Sequence, residues 1–174
     1  MSERVRILIT NDDGIHSEGI AALEEAMRGI GDVYVVAPET EMSGASHSLT
    51  LSRPLRIRHV AERRWSVDGT PTDCVNIAIT QVFNGRLPDL VVSGINKGWN
   101  LGDDVTYSGT VAGALEAALL GIPALAVSLA ATRKEYDFSH SAAAATRIAR
   151  SMFRTPLPAW TFLNVNVPKG VPKG

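Results

Sequence analysis

Ile7-Leu8-Ile9-Thr10-Asn11-Asp12-Asp13-Gly14-Ile15 is the stretch that decides the fold. A short apolar, β-branched run, opened by Val5, breaks off at a polar loop. This is how a buried strand of a parallel sheet reads where its carboxyl end meets a site. Beyond the loop, Ile20, Leu23, Met27 and Ile30 recur at spacings of three and four, with Ser17 placed to cap the start and Gly31 to supply the stop. That spacing predicts an amphipathic helix. Val33 to Ala37 form a second apolar run closed by Pro38, completing a strand, helix, strand unit whose crossover is right-handed.

Further along, the pattern changes. Leu55 to Arg58 and Trp65 to Val67 alternate apolar and polar residues around a charged turn at Glu62 to Arg64, which predicts a hairpin laid beside the main sheet. Thr72 and Asp73 open a helix carrying Val75, Ile79 and Phe83 that ends at Asn84-Gly85. The next strand, Leu90 to Val92, ends at Ser93-Gly94-Ile95-Asn96. A long polar loop, Lys97 to Tyr107, then leads through Ser108-Gly109-Thr110 into a helix bearing Val111, Leu115, Ala118 and Leu119. A strand from Ala124 to Leu129, a helix around Ala142 to Phe153 and a strand at Phe162 to Val167 complete the pattern. It is that of an α/β domain of three layers, with a mainly parallel sheet and an accessory β-hairpin, spanning 1–174.

Composition narrows the function. A chain of 174 residues, 45% hydrophobic and 20% charged, is long enough for one core and is globular rather than disordered. A formal net charge of -1 supplies no field for a polyanion, so no nucleic-acid polymer is expected and phosphate recognition must be local. Cys74 is the only cysteine, which excludes an internal disulfide and a C-x-x-C motif and fits a cytoplasmic protein. Met1 to Arg6 carries no signal-peptide pattern, and the apolar stretch Val111 to Ala131 is interrupted by Glu116, Gly121 and Pro123. A helix, a turn and a strand explain that stretch better than a membrane span.

In open parallel sheets, ligands bind beyond the carboxyl ends of the strands, and three polar clusters fall there. The first is Asn11-Asp12-Asp13-Gly14, whose adjacent carboxylates repel each other unless a cation or a shared proton intervenes. A metal is the simplest resolution; a capping turn, with one aspartate on backbone N–H groups and the other solvated, is the plainer alternative. The second cluster, Ser43-Gly44-Ala45-Ser46-His47, reads alone as an ordinary loop. The third joins Ser93-Gly94-Ile95-Asn96 to Tyr107-Ser108-Gly109-Thr110, where small residues open a helix with free N–H groups and two hydroxyls. That is either a phosphate cradle or an ordinary Ser or Thr cap.

Read in order, ILITNDDGI, VVAPETEMSGASHSLT, VDGTPTDCV, DLVVSGINKGWNLGDDVTYSGTVAGALEAA and LNVNVP resemble the SurE family of survival proteins over nearly the whole chain. The resemblance implies a Rossmann-like core. It also implies metal-dependent hydrolysis of nucleoside 5'- and 3'-monophosphates to nucleoside and phosphate, with trimming of short polyphosphate in several members. The family's metal ligands fall on Asp12, Asp13, Ser43 and Asn96, and the catalytic set on Asp12, Asp13 and Asn11. Two carboxylates, a hydroxyl and an amide oxygen suit one hard divalent cation per subunit, Mg2+ or Mn2+. Ser108, Gly109 and Thr110, with Asn11 nearby, are placed to bind phosphate oxygens while water attacks directly. His47 is a candidate general acid by position and equally a structural histidine. Trp99 is placed to stack on a base or to cover an apolar edge. Asp103 and Asp104 read as a solvated acidic loop, and Arg53, Arg56, Arg58, Arg63 and Arg64 as a solvated hairpin face. Family chains continue into an exchanged hairpin and a C-terminal helix that build a homodimer or tetramer. A chain ending in Pro168-Lys169-Gly170 and Pro172-Lys173-Gly174 is expected to lack both.

Two other classes are weighed against this. A receiver-like Mg-binding signalling module also carries paired acids after its first strand. Here, however, the strand from Leu90 ends in Ser93 rather than a phospho-accepting aspartate, and Ala124 to Leu129 ends without the lysine such modules use. A dinucleotide-binding domain needs G-x-G-x-x-G where this chain has Asn11-Asp12-Asp13-Gly14-Ile15-His16, whose carboxylates repel a pyrophosphate.

Overall fold

In a computed structural model describing residues 4–130 and 136–169, the elements follow in chain order. They are β1 (Arg6–Thr10), α1 (Glu18–Met27), β2 (Asp32–Pro38), β3 (Ile57–Ala61), β4 (Arg64–Val67), α2 (Pro71–Ile77), β5 (Leu90–Lys97), α3 (Asp104–Tyr107), α4 (Gly109–Leu119), β6 (Ala124–Ala130), α5 (Ser139–Arg154) and β7 (Phe162–Pro168). The strands form one sheet in the order β3-β4-β2-β1-β5-β6-β7, parallel throughout except for the β3-β4 hairpin. Its order reverses beside β1, which pairs with β2 on one side and β5 on the other, and the crevice at such a reversal is where ligands bind.

β1 is apolar at successive positions because both of its faces are covered. Ile7 and Ile9 pack with Leu23 and Met27 of α1 and Ala145 and Ala149 of α5, whereas Leu8 faces Val75 of α2 and Ala114 and Ala117 of α4. Three layers result, as the alternation of strands and helices predicts.

Several boundaries depart from expectation for local reasons. The hairpin is not laid beside the sheet but continues it, since β4 pairs in parallel with β2 from Val35↔Arg64 to Pro38↔Val67. α2 begins one residue earlier than expected: Thr70 caps it, its hydroxyl accepting from Asp73 N while the Asp73 carboxylate accepts from Thr70 N, and Pro71 opens the first turn. A π-helical turn, Ala78–Val82, prolongs it. β5 does not stop at Ser93; it runs on to Lys97 through an irregularity between Gly94 and Asn96. α1 closes at Met27, before Gly31, and the expected polar loop contains α3. The hairpin arginines are mostly ion-paired rather than simply solvated. Arg58 meets Glu39 at 2.8 Å and Arg63 meets Asp32 at 2.9 Å, while the largely buried Arg64 pairs with Glu24 and donates to Ile15 O. A carboxylate buried on the inner face of α1 needs such a partner. Among the described residues no helix is long and apolar enough to cross a membrane. The second Pro-Lys-Gly, 172–174, lies outside the described residues.

α1 lies so close to β5 that a Cβ added at Gly19 would stand 2.1 Å from Ile95 O. Alanine ordinarily favours a helix interior over glycine by roughly 1 kcal/mol. Here overpacking outweighs that gain, and Gly19→Ala is expected to destabilise by about 2 kcal/mol in urea unfolding; an unchanged or raised midpoint would refute this packing.

Candidate active site

The carboxyl ends of β1, β2 and β5 open on a cleft of about 720 Å³ lined by Asp12, Asp13, Ser43, Asn96 and Ser108, among others. The β1 loop is rigid because Asn11 is fully buried and bonded to its own turn. Its amide nitrogen donates to Gly14 O at 3.1 Å and to Ser17 Oγ at 2.8 Å, and its Oδ1 accepts from Gly14 N at 3.2 Å. The same Ser17 oxygen caps α1, so the turn and the helix share one anchor.

Asp12, 4% exposed, is held from α4. The Thr110 hydroxyl donates to its Oδ1, and the backbone N–H groups of Gly109 and Thr110 bond its carboxylate. Only glycine fits at 109, where a Cβ would stand 2.8 Å from Asp12 Cβ and 3.0 Å from its Oδ2. Burial raises the Asp12 pKa against these donors, which pull it down. Asp13 is pushed up to about 6, first by burial and then by the charge of Asp12, while the Lys97 N–H works in the opposite direction. Its Oδ2 is buried without a hydrogen-bond donor among the described residues.

The neighbouring oxygens complete a pattern. Asn96 Nδ2 donates to Gly98 O at 3.1 Å, which leaves Oδ1 as the free end of the amide. The irregularity in β5 precedes it. The Ser43 hydroxyl donates its proton to Glu41 Oε1 at 2.6 Å, leaving lone pairs on Oγ. Among the described residues no three His, Cys, Asp or Glu side chains gather into a metal-holding group, so a cation here would depend on neutral oxygens as well. An orphaned carboxylate oxygen, two carboxyls with raised pKa, a free amide oxygen and a hydroxyl oxygen fit a hard divalent ion and offer no soft ligand for zinc.

Of the expected site residues, Asp12, Asp13, Ser43, Asn96 and Ser108 share the cleft, and Gly109 abuts Asp12. Asn11 and Thr110 are fully buried, their polar atoms bonded to the loop and to Asp12 respectively. Ser108 Oγ accepts from Val111 N at 3.1 Å, so its own proton remains available. Trp99, 50% exposed, and Tyr107, 65% exposed, stand at the rim, and Asp104 rather than Asp103 lines the cleft. His47 lies outside its lining. The sequence reading gave no role to Glu39, Glu41 or Lys97, although all three lie inside the quoted family stretches.

The family model described as survival protein SurE matches residues 7–174. The 5'-nucleotidase SurE of Pelobacter propionicus is 56% identical over 164 residues, 94% of this chain and 66% of that one. That of Geotalea uraniireducens is 54% identical, with the same coverage of both. A solved structure, the SurE protein from Aquifex aeolicus, superposes with a TM-score of 0.91 at 44% identity, over 95% of this chain and 66% of its own. The chain thus spans 66% of the length of these relatives. With the match unbroken from β1 onward and the sheet shared, the chain belongs to the SurE family.

Proposed function

We propose that the chain is a divalent-metal-dependent phosphomonoesterase that hydrolyses nucleoside 5'-monophosphates, and 3'-monophosphates, to nucleoside and phosphate, with short polyphosphate as a further substrate. The observation that carries this reading is the Asp12-Asp13 pair: two desolvated carboxyls side by side, one with a buried oxygen lacking a donor among the described residues, at a sheet's topological switch point. Relatives of this chain are named 5'-nucleotidases, which supplies the substrate class. One cation per subunit, Mg2+ or Mn2+, would be held by Asp12, Asp13, Ser43 and Asn96. When bound, it supplies Lewis-acid polarisation of the phosphoryl group and lowers the pKa of a water.

The chain's own residues do the rest. Thr110 and the start of α4 hold the Asp12 carboxylate in one orientation, and Asn11 fixes the turn that aims Asp13. The free proton of the Ser108 hydroxyl and the α4 N-terminus at Gly109 are the groups that would meet phosphate oxygens. Asn11 and Thr110 then act at one remove, through the loop and through Asp12. Lys97 lines a cleft otherwise rich in carboxylates and offsets charge there. Trp99 and Tyr107 offer the nucleoside exposed aromatic surface at the rim. Residues 1–174 are read as one catalytic domain acting in the cytoplasm.

The test is phosphate release from AMP with Mn2+ or Mg2+. EDTA is expected to abolish it, and Asp13→Asn to lower kcat/KM by at least about 100-fold, roughly 3 kcal/mol of transition-state stabilisation; activity insensitive to both would overturn the reading.

The raised Asp13 pKa gives a second prediction. The unfolded carboxyl titrates near its ordinary 3.8 and the folded one near about 6, so the folded state binds the extra proton between those values. In metal-free protein this group's contribution to stability falls as pH rises through that window, and the deficit is complete above it. Asp13→Asn is therefore expected to be more stable than wild type at pH 7.5 by about 1 kcal/mol after discounting for solvent screening, with the difference vanishing near pH 4. Mn2+ should raise the wild-type Tm and leave the variant's unchanged.

A further inference from the structure

We infer that His47 and Glu116 are positioning residues that hold the loop carrying Ser43 in place against the Asp12-Asp13 pair; the inference rests on the cation site proposed above. Glu116 lies in α4, a helix otherwise built of small and apolar residues, and is only 8% exposed. A buried carboxylate is unfavourable there unless both oxygens are paired. They are: Oε2 lies 2.7 Å from His47 Nε2, and Oε1 accepts from Asn76 Nδ2 at 2.7 Å, which also donates to Thr72 O at 3.1 Å. An aliphatic residue at 116 would pack without this penalty, so the packing of α4 does not explain the carboxylate. The tie to the loop does.

That loop has further holds. Met42 N donates to Asp12 O at 2.7 Å, Ser46 donates through N to Tyr107 O at 3.1 Å and through Oγ to Thr106 O at 2.8 Å, and Ser48 O accepts from the Thr70 hydroxyl at 2.7 Å. Ser43 and Gly44 sit between these anchors at the cleft. The His47 tie completes the set from the far side, and it ends on the same helix whose first turn grips Asp12 through Gly109 and Thr110. Residues 110 and 116 are six apart on one helix, about 9 Å along its axis. α4 is therefore the common reference for Asp12 and for the Ser43 loop, and release of His47 frees one of the two. His47 faces Glu116 and a second cavity of about 160 Å³ that is walled by Val105, Val111, Leu115 and Phe162 and meets the cleft at Ser108, while His47 itself does not line the cleft. That position argues against a proton transfer in the main cleft.

The experiment measures Mn2+ binding by electron paramagnetic resonance, and amide exchange of residues 42–48 in metal-free protein, for wild type, His47→Ala, His47→Gln and Glu116→Gln. His47→Ala is expected to raise the Kd for Mn2+ about 10-fold and to speed exchange across the loop. His47→Gln can still donate to Glu116, and Glu116→Gln can still accept from Asn76 and bond His47, so both should stay within about 3-fold of wild type. Should His47→Ala fail to fold, a Glu116→Leu variant isolates the same tie from the helix side. Wild-type Mn2+ affinity and unchanged loop exchange in the alanine variant, or equal losses in all variants tracking only a lowered Tm, would overturn the inference. Failure of wild type itself to bind Mn2+ would overturn the cation site, and this inference with it.

Discussion

Two carboxylates brought side by side out of water form the least favourable arrangement in this molecule, and much of the cleft is organised around them. Asp12 and Asp13 are consecutive, so the chain cannot separate them; the turn that follows β1 decides only where each points. Burial raises the pKa of both, the charge of Asp12 raises that of Asp13 further, and Asp13 Oδ2 has no donor among the described residues. Adjacent like charges repel, and partial exclusion of water strengthens the repulsion. The protein offsets part of it with fixed dipoles, the Lys97 N–H on Asp13 and the α4 start on Asp12.

The scaffold that holds this arrangement is polar wherever it meets the site. Asn11 closes the β1 turn and reaches Ser17, the cap of α1. On the other side, Asn164 and Asn166 both reach the segment after β5, because residues two apart on a strand share a face. Asn164 Nδ2 donates to Asn100 O at 2.9 Å, Asn166 Oδ1 accepts from Asn100 N at 2.7 Å, and the Asn100 amide donates to Ser128 Oγ at 2.7 Å. Two adjacent strands, β6 and β7, thereby fix a loop that carries Trp99 and follows Asn96. A loop secured in this way can present ligands without a helix of its own.

How much of this was legible in the sequence depends on the range of the interaction. The α/β order, the Ser17 cap and the central place of β1 rest on periodicity and local chemistry, which nearby residues determine, and they were readable. The NDDG turn announced the carboxylate pair for the same reason. The end of β5 was misread because Ser93-Gly94 resembles a strand terminus, whereas pairing with β6 carries the strand on to Lys97. Thr70 was passed over for Thr72 because only the reciprocal bond with Asp73 identifies the cap. The roles of Asn11 and Thr110 were also hidden, since both lie in motifs that read as phosphate-binding, and only the folded packing turns their polar atoms onto the loop and Asp12. The Glu116 tie joins positions 69 residues apart, a distance over which no local pattern carries information.

The charge of the cleft constrains what can enter it. Among the described residues, Asp12, Asp13, Glu39, Glu41 and Asp104 line it, against Lys97 as the cationic side chain not dependent on histidine protonation. A phosphate dianion approaching those carboxylates in their ionised form is repelled by them. The helix dipole at α4 and the Ser108 hydroxyl are too weak to reverse it alone, since a helix terminus contributes on the order of half a charge. On the proposed reading, neutralising the carboxylates, by protons at low pH or by the proposed cation near neutrality, is what favours anion recognition here. The pairing of Asp12 with Asp13 would then serve the cation directly and the phosphate through it.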